Sequence, residues 1–156
     1  MGRVGFLLVG WVYFVAFGAL SVLFPFGSFL DLMFLMSIYA ARRGFGPWEV
    51  FVLSTVSDLL SAKALGSGLL ANICVFSLSK HAFKAFEPFW RVTIFVVFVA
   101  TLLGLLAEGL LDALLRGERS FFPDWGLKVA FGNALFSYWL FKFNDVLLKR
   151  AGDFSE

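Results

Sequence analysis

Asp58 and Lys63 stand in the stretch VSDLLSAKALG, residues 56–66, whose neighbours on both sides are almost wholly apolar. A carboxylate in such a setting has two uses. It can carry a proton or hold a ligand, or it can accept hydrogen bonds that clasp one helix to the next. An ionised carboxylate at membrane mid-depth costs about 2.5–3.5 kcal/mol on insertion scales, so Asp58 is expected to face protein or water, to be paired, or to be protonated. Ser54, Ser57 and Ser61 recur beside it at spacings of three and four, a small hydroxyl face that suits close helix packing and favours the clasp between helices 3 and 4. Lys63 is expected to reach the outer interface as an anchor.

Four further groups could do chemistry. Glu108, Asp112 and Arg116 at i, i+4 and i+8 make a charged stripe at the outer end of a long helix. It is either a docking surface or a solvated helix end with an ordinary Asp112–Arg116 pair. Asp31, three residues after Ser28, has the form of a capping box and meets the positive end of a helix dipole. Gly66-Ser67-Gly68 reads as a tight turn into helix 4 and lacks the lysine and hydroxyl of a phosphate loop. Lys80, His81 and Lys84 form a basic collar suited to anionic lipid headgroups.

The residue inventory limits the reaction chemistry. The chain has one cysteine, Cys74, and one histidine, His81, so neither an internal disulfide nor a histidine metal cluster is expected. A lipid-processing enzyme would need paired carboxylates with a metal, or a nucleophile with a base. Glu108 and Asp112 are the only close acidic pair inside a helix, and no histidine accompanies them. The expectation is a protein with no enzymatic activity, no cofactor and no nucleic-acid partner.

The elements that position these residues are membrane helices. With 60% hydrophobic residues and a mean hydropathy of +0.87, the chain lies far above soluble globular proteins, and its charges collect between apolar runs or near their ends. Val4–Phe24 is about 21 apolar residues, roughly 31 Å of helix, enough to cross a bilayer. It reads as a retained first helix, not a signal peptide. Breaks at Pro25, Gly27, Arg42–Pro47, Ser61–Ala64, Lys80–Pro88 and Arg116–Asp124 divide the 156 residues into six helices in one polytopic domain: 4–24, 28–41, 48–60, 65–79, 89–115 and 125–148. Helices 2 and 3 are short. A re-entrant hairpin would bring Arg42 and Arg43 to membrane depth, so two true spans with snorkelling arginines are preferred. Gly126, Ala130, Ala134 and Ser137 form a small-residue packing stripe on helix 6.

With both termini inside, nine of the 13 basic residues, among them Arg3, Arg42, Arg43, Arg91 and Lys142, lie on the cytoplasmic side. Lys63, Arg116, Arg119 and Lys128 lie outside. The asymmetry follows the positive-inside tendency and supports both termini being cytoplasmic.

Asp31-Leu-Met-Phe-Leu followed by SDLLSAKALGSGLLA resembles the rod-shape-determining membrane protein family MreD. Asp31 matches that family's first aspartate, and Asp58, Leu59, Leu60, Leu65 and Gly66 match the later motif in register. Leu30 stands where the family usually has proline, and Ser54 and Ser57 stand near positions often held by glycine. The resemblance covers roughly residues 28–80. It implies a non-enzymatic scaffold of the bacterial elongation machinery that binds MreC, and through it RodA and its penicillin-binding transpeptidase, with the MreB filament inside. It also implies a fold like the six-helix substrate-binding subunits of energy-coupling-factor transporters. The alternative is a vitamin-binding subunit of such a transporter, which would need polar groups, with Asp58, Asn72 and Asn133 as candidates, converging on a cavity near the outer face.

Overall fold

The computed structural model describes residues 3–23, 30–60, 66–87, 89–116 and 126–153. Six α-helices account for nearly all of them, and among the described residues there is no strand. They are α1 (Arg3–Leu23), α2 (Leu32–Arg43), α3 (Pro47–Leu60), α4 (Ser67–Ala85), α5 (Trp90–Arg116) and α6 (Gly126–Asp153). Within α5, Trp90–Leu115 has a mean hydropathy of 2.5 over its most apolar window and is long enough, at roughly 39 Å, to cross a membrane. It is the one helix among the described residues that meets both conditions, and Arg3–Val15 of α1 is a shorter apolar helix.

The fold is organised around α2. This helix is 12 residues long, nine of them are buried, and it contacts each of the other five helices. Phe34, Leu35, Ile38 and Tyr39 are its largest contributions to the core. Gly104 lets α5 approach it closely: a Cβ there would stand 3.0 Å from Phe34 Cζ and would overlap Val75 of α4. Around this central helix, α4 packs on α3 and α5, and α5 packs on α6. Gly126, Ala130, Ala134 and Ser137 are all buried, so the small-residue stripe of α6 is a packing face.

Helix boundaries differ from the sequence expectations in three instructive places. α2 begins at Leu32, not at residue 28, because Asp31 is itself the N-cap: its backbone is extended and its side chain receives the Phe34 N–H at 3.0 Å. Ser28 and its capping box lie outside the described residues. α4 runs to Ala85, so Lys80, His81 and Lys84 ride on its last turns and not in a loop. Lys80 lies over the Phe76 ring, 5.4 Å from its centroid, and His81 Nδ1 is 2.7 Å from the Ser77 carbonyl, so both polar side chains are held along the helix itself. α6 continues to Asp153, past the expected end at 148. α2 stops at Gly44, whose left-handed φ of 75° lets its N–H turn back onto the carbonyls of Ala40 and Ala41.

The helices alternate in direction, and the alternation collects charges at the two ends of the bundle. Arg3 at the start of α1, Glu49 at the start of α3, Arg43 at the end of α2 and Asp145 near the end of α6 share one end. The end of α3, the start of α4 and the last third of α5 share the other, which holds Asp58 and Glu108.

Candidate functional site: buried polar clasps at the two ends of the bundle

Asp58 sits in the last turn of α3 and is 7% exposed. One of its oxygens, Oδ2, receives the backbone N–H of Gly66 at 2.9 Å and that of Leu69 at 3.0 Å. Those N–H groups belong to the start of α4, where backbone donors have no helical acceptor and the helix dipole is positive. Gly66, the N-cap position, has φ 97° and no side chain to offer, so the cap comes from the preceding helix. The Asp58 carboxylate thus ties α3 to α4 across the connection between them. Ser54, one turn earlier, is buried, and Ser57 is half-buried. Ser61 and Lys63 lie outside the described residues.

Glu108 of α5 reaches the same place. A Cβ on Gly68 would overlap Asp58 Oδ1 and would stand 3.6 Å from Glu108 Oε1. A side chain on Gly68 would therefore collide with the Asp58 carboxylate, and both acids stand beside the positive start of α4. Asn72, one turn on, donates to the Gly68 carbonyl at 2.9 Å and receives the Ser37 hydroxyl of α2 at 2.9 Å. Asp112, one turn beyond Glu108, is half-buried, and its Oδ1 is enclosed without a hydrogen-bond partner among the described residues. Arg116 ends α5, and its side chain lies outside the described residues. Of the three stripe residues, Glu108 is turned into the bundle, so the stripe is not a uniformly solvated face.

A second clasp holds the start of α2. The Asn133 amide of α6 receives the Asp31 N–H at 2.9 Å and donates to the Asp31 carbonyl and to Thr101 of α5, each at 3.3 Å. Asp31 thereby has two separate tasks: its side chain caps α2, and its backbone is gripped by α6. Asp58, Asn72 and Asn133, the trio considered as ligand-binding groups, do not form one set of hydrogen-bond partners. Asp58 serves α4, Asn72 links α4 to α2, and Asn133 links α6 to α2 and α5.

The opposite end carries contacts that the sequence pattern leaves invisible. Asp145 of α6 receives the Tyr39 hydroxyl at 2.7 Å and pairs with Arg43 at 2.6 Å, both partners lying about a hundred residues away in the chain. Asn144 receives the Tyr13 hydroxyl of α1 at 2.6 Å. Glu49 is 1% exposed, and the Arg3 guanidinium, itself 81% exposed, stands 2.9 Å from it as an ion pair without hydrogen-bond alignment. The available signal for these residues was their type alone: a carboxylate or amide inside an apolar helix needs a partner.

Among the described residues, no three of His, Cys, Asp and Glu are grouped to hold a metal ion. His81 and Cys74 are both exposed on α4. No family model, curated protein or solved structure matches the chain. The chemistry of the site is hydrogen-bond acceptance: carboxylates and amides that receive helix-terminal N–H groups and lock helix to helix.

Proposed function

We propose that the chain is a multi-pass protein of the bacterial inner membrane, with both termini cytoplasmic, that acts as a non-enzymatic scaffold in the elongation machinery by binding MreC and, through it, the peptidoglycan synthases. The observation that carries this reading is the inverted distribution of side chains. Val4, Leu8, Trp11, Val12 and Val15 are each more than half exposed and form one stripe on α1 at helical spacing. Leu103, Leu106, Leu110 and Leu114, each more than two-fifths exposed, form a second stripe on α5, and Leu127, Phe131, Leu135 and Trp139, each more than half exposed, a third on α6. Meanwhile Glu49, Asp58, Asn72, Glu108, Asn133 and Asn144 are inside. Continuous apolar stripes of this extent on three helices suit contact with lipid or with other membrane helices and are disfavoured in water.

The scaffold part of the reading draws on two supports: the MreD-like pattern around Asp31 and Asp58, and the use of the buried polar groups as internal clasps. The vitamin-binding alternative is less favoured because Asp58, Asn72 and Asn133 are each engaged by backbone groups or by other side chains. Affinity purification in mild detergent tests the choice. Recovery of MreC with a penicillin-binding transpeptidase is the expected result. Recovery of an ATPase module instead would overturn it.

A further inference from the structure

Toward the turn that joins α4 to α5, the two helices part around a groove of about 470 Å³. Its narrow floor comes from small residues, Ser79 and Ala82 of α4 and Ala100 of α5. Phe86, Phe95 and Leu103 form exposed walls, so the groove opens onto the outer surface of the bundle. Arg91 stands at the mouth, its guanidinium carbon 5.8 Å from the Trp90 ring centroid. Ser79 is fully buried, and its hydroxyl has no hydrogen-bond partner among the described residues.

Arg91 to Leu103 is twelve residues of helix, about 18 Å, close to the roughly 15 Å half-thickness of a bilayer's hydrocarbon core. Apart from Arg91 and Ser79 the groove is lined by apolar side chains, which suits an extended acyl chain entering from one face of the membrane. The charge at its mouth suits a phosphate, since a guanidinium forms paired, charge-assisted hydrogen bonds with phosphate oxygens.

We infer that this groove is a binding site for an anionic phospholipid, with one acyl chain between α4 and α5 and the phosphate on Arg91. The inference rests on the membrane reading above and adds a defined lipid site to it. Arg91 is among the basic residues of the cytoplasmic side, where anionic headgroups concentrate.

The test is quantitative mass spectrometry of phospholipid that co-purifies with the full chain in mild detergent, compared with the source membrane. The wild type is expected to retain about one phospholipid per chain, enriched in anionic species. Arg91→Gln, an exposed substitution that leaves the packing alone, should cut the anionic enrichment about tenfold. Ala82→Phe should fill the floor and release the lipid while helix content by circular dichroism is unchanged. Absence of enrichment in the wild type, or equal enrichment in Arg91→Gln, overturns the inference whether or not Ala82→Phe folds. So does a bound polypeptide that Ala82→Phe displaces. Release of the chain from membranes by alkaline carbonate would instead overturn the membrane reading, so the two failures are distinguishable.

Discussion

Replacing Asp58 by leucine removes the single oxygen that receives the Gly66 and Leu69 N–H groups at 2.9 and 3.0 Å. Each enclosed N–H left without an acceptor costs about 1–3 kcal/mol, and removing a helix cap costs about 1 kcal/mol in ordinary settings. The two bonds together put Asp58→Leu at about 3 kcal/mol. Asparagine is the informative comparison. Because one oxygen of Asp58 serves both donors, the asparagine carbonyl can take over both. Asp58→Asn should therefore cost about 1 kcal/mol, the difference between a charged and a neutral acceptor. Thermal unfolding in one detergent, followed by circular dichroism, reads the two. At roughly 2–4 °C per kcal/mol, leucine should lower the midpoint by about 10 °C and asparagine by about 3 °C. Equal losses for the two variants would refute the acceptor argument and return Asp58 to proton or ligand chemistry. So would an Asp58→Asn chain that is stable and abundant but inactive.

Asn133→Ala should destabilise the fold by about 2 kcal/mol, since it strips the Asp31 backbone of both α6 contacts, and amide exchange at Asp31 and the first turn of α2 should rise with it. An unchanged exchange rate there would count against the grip of α6 on α2. Glu87 is exposed between α4 and α5, so in a Cys74→Ser background Glu87→Cys should react with an impermeant thiol reagent only after the membrane is opened from the cytoplasmic side. Labelling in intact cells would reverse the orientation. Asp112→Lys at matched expression should weaken recovery of MreC by more than the few tenths of a kcal/mol that an exposed pair supplies. Wild-type recovery, with raised salt also without effect, would remove the outer end of α5 from the docking surface.

Apolar run length and the Gly, Pro and charged breaks were enough to read six helices, although among the described residues only Trp90–Leu115 is both long and apolar enough to cross a membrane. The Lys80–Lys84 turns are legible in the sequence only as charge, and a charge cluster points to a loop. In the structure Lys80 lies on Phe76 and His81 turns to Ser77, local contacts that let the helix continue. Asp58 announced itself because nothing polar surrounds it in sequence. Its partners did not, since backbone donors at Gly66 and Leu69 leave no mark in residue type. Glu49, Asn144 and Asp145 were illegible for a different reason. Arg3 lies 46 residues from Glu49, and Tyr39 lies 106 from Asp145, so only tertiary structure pairs them.

The central helix has a consequence for the order in which the molecule can be completed. Both ends of α2 are latched by α6: Asn133 grips Asp31 at one end, and Asp145 takes Tyr39 and Arg43 at the other. Ribosomes make α2 four helices before α6. Throughout synthesis of the intervening helices, the innermost element therefore has an acidic cap at one end and a paired-arginine terminus at the other with neither latch in place. The bundle is a vault whose keystone is cut early and locked late.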